Sequence, residues 1–184
     1  MGCSHVARTD ADTIPASDWT ESIATNFQRY PEDLHLLGGS IRALHDTSYH
    51  MGDGIMMPLA VKSARIVLAI KHLDPAYLHV VTGANMAVRS DTYEEVGGFV
   101  LSSIDTTDED IAFSLAVAQH KGKHSIYLDP NMIVRTSMRR IHGSAESKGL
   151  GWTGTALHHL LPSRRAKHPQ QIYIRKIIFR LYKL

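Results

Sequence analysis

Arg8-Thr9-Asp10-Ala11-Asp12-Thr13-Ile14-Pro15 sets two carboxylates one residue apart, between a short apolar lead at Val6-Ala7 and a proline. An extended segment that turns at Asp10 brings both carboxylates to one point at the carboxyl end of a strand. Hard divalent cations favour such oxygen ligands and complete their shell with water and substrate phosphates. Acidic pairs beside a proline also serve as turn and helix-cap chemistry, so the rest of the chain has to decide between the two.

Downstream, Ser17 or Asp18 can cap a helix, with Glu21 at capping-box spacing from Asp18. Trp19, Ile23 and Phe27 form one apolar stripe on that helix, and Pro31 ends it. Leu34-His35-Leu36-Leu37 predicts a buried strand closed by Gly38-Gly39, and residues 40–54 read as irregular. A helix is expected from about Met56 to His72, with Pro58 in its first turn. Tyr77 to Val81 is a strand candidate that runs into Thr82-Gly83-Ala84-Asn85, a small-residue loop where a ligand can approach the backbone. Ser90 or Asp91 caps a short helix ending at Gly97-Gly98, followed by Phe99.

A second acidic cluster, Asp105-Thr106-Thr107-Asp108-Glu109-Asp110, opens a helix with Ile111, Leu115 and Ala118 on one face. Acids at a helix N-terminus are favoured by the macrodipole, whatever else they do. Two further strands are expected, Ser125 to Leu128 and Met132 to Arg135, the first stopping at Asp129-Pro130. Strands alternating with helices predict an α/β layered fold with a mixed sheet and flanking helices.

The 184 residues have the length of one domain, and 43% hydrophobic with 21% charged residues is an ordinary globular composition. One cysteine, Cys3, excludes an internal disulfide framework and a cysteine-rich zinc site, and with no leader legible at the N-terminus it leads us to expect a cytoplasmic setting. The longest apolar candidate for a membrane span, Ile55 to Ile70, is broken by Pro58, Lys62 and Arg65. The net charge of +2 hides an asymmetry: residues 164–184 carry +7 with no acid, and residues 1–163 carry −5. Residues 143–171 read as a flexible connection. Residues 172–184 read as a basic amphipathic helix, with Arg175, Lys176, Arg180 and Lys183 opposite a mostly aliphatic face. Such a helix suits an anionic membrane surface, so a peripheral position at the inner face of a membrane is expected; a solvated helix packed on its own domain is the alternative.

Three pieces acquire meaning through their order: Asp10-Ala11-Asp12, the loop Thr82-Gly83-Ala84-Asn85-Met86-Ala87-Val88-Arg89 with Gly97-Gly98-Phe99, and the helix start Asp108-Glu109-Asp110. Together they resemble, from about Val6 to His142, the family 2 glycosyltransferases of the GT-A fold, which makes residues 1–142 a partial domain of that kind. The resemblance implies an inverting, metal-dependent transfer of a sugar from a nucleotide-sugar donor to a saccharide or lipid-linked acceptor. Asp12 would be the main ligand of Mg²⁺ or Mn²⁺, and Asp10 would lie near the ribose or metal, with His142 a candidate further ligand. Asp110 would be the catalytic base and Glu109 would orient the acceptor, with a register slip of the base to Asp108 left open. Gly83, Asn85, Arg89, Gly97, Gly98 and Phe99 would shape the donor and acceptor cleft. The processive members carry QxxRW after the base; Arg135-Thr136-Ser137-Met138-Arg139-Arg140 lacks its Trp, which implies transfer of single sugars, with Arg139 and Arg140 free to contact the diphosphate.

In that family a βαβαβ half that holds the nucleotide precedes the Asp-x-Asp strand, and residues before Asp10 are too few for it. The expectation is therefore a sheet with an unpaired edge and a Trp19/Ile23/Phe27 face short of partners. Two rival readings follow. One is an inactive glycosyltransferase remnant that serves as a binding or interaction protein. The other is a two-metal phosphoryl-transfer or nuclease site built from Asp10, Asp12 and Asp108 to Asp110; the net acidic body argues against nucleic acid as a partner.

Overall fold

The structure is a computed structural model that describes residues 3–47, 49–99 and 109–139. Residues 143–171 and 172–184, expected to form a connection and a basic helix, lie outside the described residues. Strands β1 (His5–Thr9), β2 (Thr13–Pro15), β3 (Leu36–Ala43), β4 (Asn85–Arg89) and β5 (Ile126–Thr136) form one sheet in the order β1-β4-β3-β5-β2. β3 and β5 run parallel, and the other three pairings are antiparallel. The helices are α1 (Trp19–Arg29), α2 (Asp53–His72), α3 (Ser90–Glu95) and α4 (Glu109–Lys121), so the chain is a mixed α/β fold with flanking helices, as its alternating pattern predicts. None of the described helices is long and apolar enough to cross a membrane.

Successive residues of a strand face opposite sides, and the core follows that rule. Leu36, Met86 and Val88 pack with Val81, Phe113, Val117 and Ile126 in one cluster. Leu37 and Ala87 pack with Ile23, Phe27, Leu34 and Met132 in the other. A sheet centre covered on both faces needs continuous apolar runs, which is why Leu36-Leu37 and Met86-Ala87-Val88 do not alternate with polar residues. The α1 stripe of Trp19, Ile23 and Phe27 therefore has partners within the described residues, contrary to the expectation that it lacks them. β1 pairs only with β4 among the described residues, in keeping with the expected sheet edge.

Several boundaries differ from the expectation. β3 continues through Gly38-Gly39 to Ala43. A Cβ at Gly39 would collide with the Asn85 amide and the Met132 carbonyl, and one at Gly38 would sit 2.7 Å from a Val81 methyl, so both glycines answer to neighbours rather than to a turn. The two expected strands around Pro130 are the single strand β5. Gly39 pairs with Asp129 and Ser40 with Ile133, so residues 130–132 bulge out, and the bulge accommodates the proline. Tyr77 to Val81 is not a strand. Pro75–His79 forms a 3-10 turn whose start is capped by the Asp74 carboxylate accepting from the Ala76 N–H at 2.8 Å. α2 starts at Asp53, which moves Pro58 beyond the first turn, and Asn85 opens β4 rather than closing a loop. α4 buries Phe113, Ser114 and Val117, while Ile111, Leu115 and Ala118 are only half-buried.

Candidate functional site

β1 and β2 lie at opposite ends of the strand order, yet only Asp10, Ala11 and Asp12 separate them. A flat five-stranded sheet would put its outer strands about 19 Å apart. Four Cα steps from Thr9 to Thr13 span about 15 Å at most, and the Thr13 N–H to Asp10 carbonyl bond at 3.1 Å makes the connection a tight turn. The sheet must curl. The register break at Gly39/Ser40, with its bulge in β5, is where the second halves of β3 and β5 can swing round to meet β2.

This curl brings the exit of β5 onto the acidic turn. The Asp12 carbonyl accepts from the Ser137 N–H at 3.1 Å, and the Arg139 guanidinium lies 3.7 Å from an Asp12 carboxylate oxygen. Arg139 is largely exposed and Asp12 is half-buried, so the pair is loose and able to exchange partners.

Two residues before Asp10 stands Arg8, to which the sequence analysis assigned no role. Its guanidinium pairs with the Glu109 carboxylate, lies 4.6 Å from the centroid of the Phe99 ring and rests against Gly83. A Cβ at Gly83 would sit 3.1 Å from the guanidinium carbon, so the glycine makes room for it. Gly97 and Gly98 hold left-handed φ values of 81° and 68° that end the α3 turn. They deliver Phe99 onto Tyr93, Phe113 and Arg8.

Asp110 sits in the first turn of α4. Its Oδ2 accepts from the Gly83 N–H at 2.9 Å and its Oδ1 from the Ile111 N–H at 2.9 Å. Burial pushes its carboxyl above the usual carboxylate range, against the opposing pull of those amides and of the Arg8 charge. Ser114, one turn on, donates to the Asp110 carbonyl at 2.7 Å and accepts from the Val81 N–H at 3.0 Å. The segment from Val81 to Gly83 is thus tied to the head of α4 twice. The Thr82 hydroxyl between those ties is buried with no hydrogen-bond partner among the described residues.

β1 therefore joins two groups: Asp10, Asp12 and Arg139 at its end, and Arg8, Glu109, Asp110, Gly83 and Phe99 beside it. Two other candidates are spent on the scaffold, although Asn85 pairs in register with Thr9 beside the turn. Asn85 is wholly buried, and its amide is spent within the protein: Oδ1 accepts from Trp19 Nε1 at 2.8 Å, and Nδ2 donates to the carbonyls of Ser40 at 2.9 Å and Met132 at 2.8 Å. Arg89 pairs in register with His5, the residue at the far end of β1 from Asp10. There it donates to the carbonyls of Leu34, at 2.7 Å, and Pro31. Both hold the scaffold rather than face the acidic turn. Asp108, Arg140 and His142 lie outside the described residues.

The donor set at the turn is chemically suited to a hard cation, since the side chains of Asp10 and Asp12 offer only carboxylate oxygens. Among the described residues no group of three or more His, Cys, Asp or Glu side chains is gathered as a ligand set. A cation held there would depend on phosphate or water for most of its shell. Two open concavities, of about 450 and 430 Å³, lie elsewhere: one between Tyr30, His35, Lys121 and His124, the other between Asp18, Asn26, Asp129 and Asn131. Neither is lined by Asp12 or Asp110.

The signal for Arg8 was in the sequence. An extended segment puts residues two apart on one face, so a basic residue two before the first carboxylate was a candidate neighbour of whatever that carboxylate serves. No model of a known protein family matches this chain, and no curated protein matches it either.

Proposed function

We propose that this chain is a glycosyltransferase of the GT-A kind, transferring one sugar at a time from a nucleotide-diphosphate sugar to an acceptor hydroxyl with inversion. The observation that carries the reading is the link through β1 between the Asp10–Asp12 turn and Asp110, a carboxylate whose basicity burial has raised. A donor diphosphate beside the turn and an acceptor hydroxyl beside α4 are what such a pair of sites serves.

In this mechanism Asp110 takes the proton of the acceptor hydroxyl as its oxygen attacks the anomeric carbon. The bond to the diphosphate oxygen breaks, and the nucleoside diphosphate leaves from the opposite face. Each Asp110 oxygen already accepts one backbone N–H, which fixes the carboxylate and leaves it lone pairs for the incoming proton. Glu109 offsets the Arg8 charge and so limits how far that charge lowers the basicity of Asp110. Asp12 and Asp10 would hold Mg²⁺ or Mn²⁺, which neutralises charge on the departing diphosphate. Arg139 can then turn from Asp12 to the phosphates. Release of nucleoside diphosphate from UDP- and GDP-sugars tests this directly, with Asp110→Asn and Asp12→Asn both expected to abolish it.

A second reading, a binding protein without turnover, draws on Asp12 being paired with Arg139 in the absence of a three-residue ligand set among the described residues. Calorimetry with UDP or GDP separates the two: Mn²⁺-dependent binding supports the enzyme, and Mn²⁺-independent binding supports the binding protein. The acceptor class, saccharide or lipid-linked, and a cytoplasmic, membrane-peripheral location belong to the same proposal.

A further inference from the structure

α2 is apolar around most of its circumference, yet much of it faces solvent. Ile55, Leu59, Ile66 and Ile70 are 76%, 57%, 52% and 67% exposed. At 3.6 residues per turn they fall within an arc of about 60°, along a helix about 30 Å long. Leu73 extends the stripe at 88% exposure, and Met51 precedes it fully exposed. Leu73 is also the one non-glycine residue with positive φ among the described residues, at 51°. Glycine or asparagine is favoured at such a helix end, so a leucine held outward there is a costly choice for a surface facing only water.

Charge selects the occupant. Lys62 lies exposed beside the stripe, and Lys71 is exposed on another side of the helix, about 100° round from Ile70. The only acid of α2, Asp53, is 8% exposed, and its carboxylate accepts from the His50 N–H at 2.7 Å. The outer face thus presents aliphatic side chains and the Lys62 cation with no exposed carboxylate. A second copy fits less well. A two-fold axis near residue 64 would match Ile55 with Leu73 and Leu59 with Ile70. It would also set Lys62 about 6 Å along the axis from its own copy, with nothing acidic on the helix to answer either charge.

We infer that the outer face of α2 is a docking surface for an anionic lipid bilayer, lying in the headgroup layer with its aliphatic stripe inward. An exposed apolar face bordered by a cation binds such a surface through buried apolar area together with attraction to anionic lipid. The surface is built from residues 55–73 and includes none of the residues of the Asp12/Asp110 site.

The test uses the full chain with Cys3→Ser and Ile66→Cys, labelled at position 66 with an environment-sensitive fluorophore. It is mixed with vesicles of phosphatidylcholine alone or with phosphatidylglycerol. The expected result is a blue shift on phosphatidylglycerol vesicles that fades with salt and is weak on phosphatidylcholine. In unlabelled protein, Leu59→Asp with Ile70→Asp should weaken vesicle sedimentation about tenfold or more while the melting temperature is kept. A label that stays in water while the protein sediments would overturn the inference, because docking would then lie elsewhere, as on residues 172–184. A dimer by light scattering that the two aspartates dissolve would overturn it in favour of a second copy.

Discussion

Gly83 donates its backbone N–H to Asp110 Oδ2 at 2.9 Å, joining the loop before β4 to the first turn of α4. A glycine that also yields space to Arg8 thereby fixes a carboxylate beside β1 whose basicity burial raises. Position and proton affinity of Asp110 come from the same few contacts.

Asp110→Asn separates the two consequences. Asparagine keeps an oxygen for one of the two backbone N–H groups and turns its NH2 on the other, a loss set against relief of the buried charge, so the melting temperature at neutral pH should move by only a few degrees. Turnover should fall by about 10² to 10⁴, the range of a positioned general base, which takes nucleoside diphosphate release to background. A variant that unfolds as it loses activity would assign Asp110 a structural role.

The pH dependence follows from the sign of the shift. An acid whose folded pKa is raised stabilises the protonated fold, so the Asp110 contribution to stability is present in acid and is lost as pH rises through that raised value. As a base it must be ionised, so kcat/KM should rise with pH along a limb above the usual carboxylate range. Arg8 holds that limb down. In Arg8→Met the limb should move to higher pH; a limb that does not move would place the charge of Arg8 outside the site.

Three histidines act in the opposite sense. His5, His35 and His79 are each held below their ordinary value of 6.5, chiefly by burial. A base with a depressed folded pKa gives stability that is complete above its unfolded value and lost as pH falls. Thermal melts should show a decline beginning near pH 6.5 on the way to acid, reduced in His35→Gln. The His35 ring nitrogen lies 2.7 Å from the Thr92 hydroxyl, a contact that glutamine can replace without titrating.

Asn85→Ala tests a scaffold role. It strips partners from Trp19 Nε1 and from the carbonyls of Ser40 and Met132 in a buried setting. We expect a loss of about 3 kcal/mol in urea unfolding. A variant with wild-type stability and an altered KM for donor would instead place Asn85 in the cleft.

The parts legible in the sequence were those fixed by local pattern. The turn at Asp10–Asp12, the apolar stripe of α1 (though not its burial) and the acids opening α4 follow from spacing and polarity over a few residues. The parts that were not legible depend on contacts between distant segments. Gly38-Gly39 reads as a strand stop, but Gly39 is small because Asn85 and Met132 crowd it. Pro130 reads as a break, but it sits in a bulge that lets β3 and β5 bend together. The shared face of Arg8 and the acidic turn needed only the two-residue period of a strand. The pairing of Arg8 with Glu109 needed the fold.

The central claim is that the Asp10–Asp12 turn and Asp110 are two ends of one sugar-transfer site. Its most direct test is nucleoside diphosphate release from a panel of UDP- and GDP-sugars with Mn²⁺, comparing wild type, Asp12→Asn and Asp110→Asn. The account predicts release by the wild type that stops on chelation of the metal and is lost in both variants. It also predicts that Asp110→Asn still binds UDP or GDP with Mn²⁺, whereas Asp12→Asn does not. Release that persists in both variants, or that is indifferent to the metal, would contradict it.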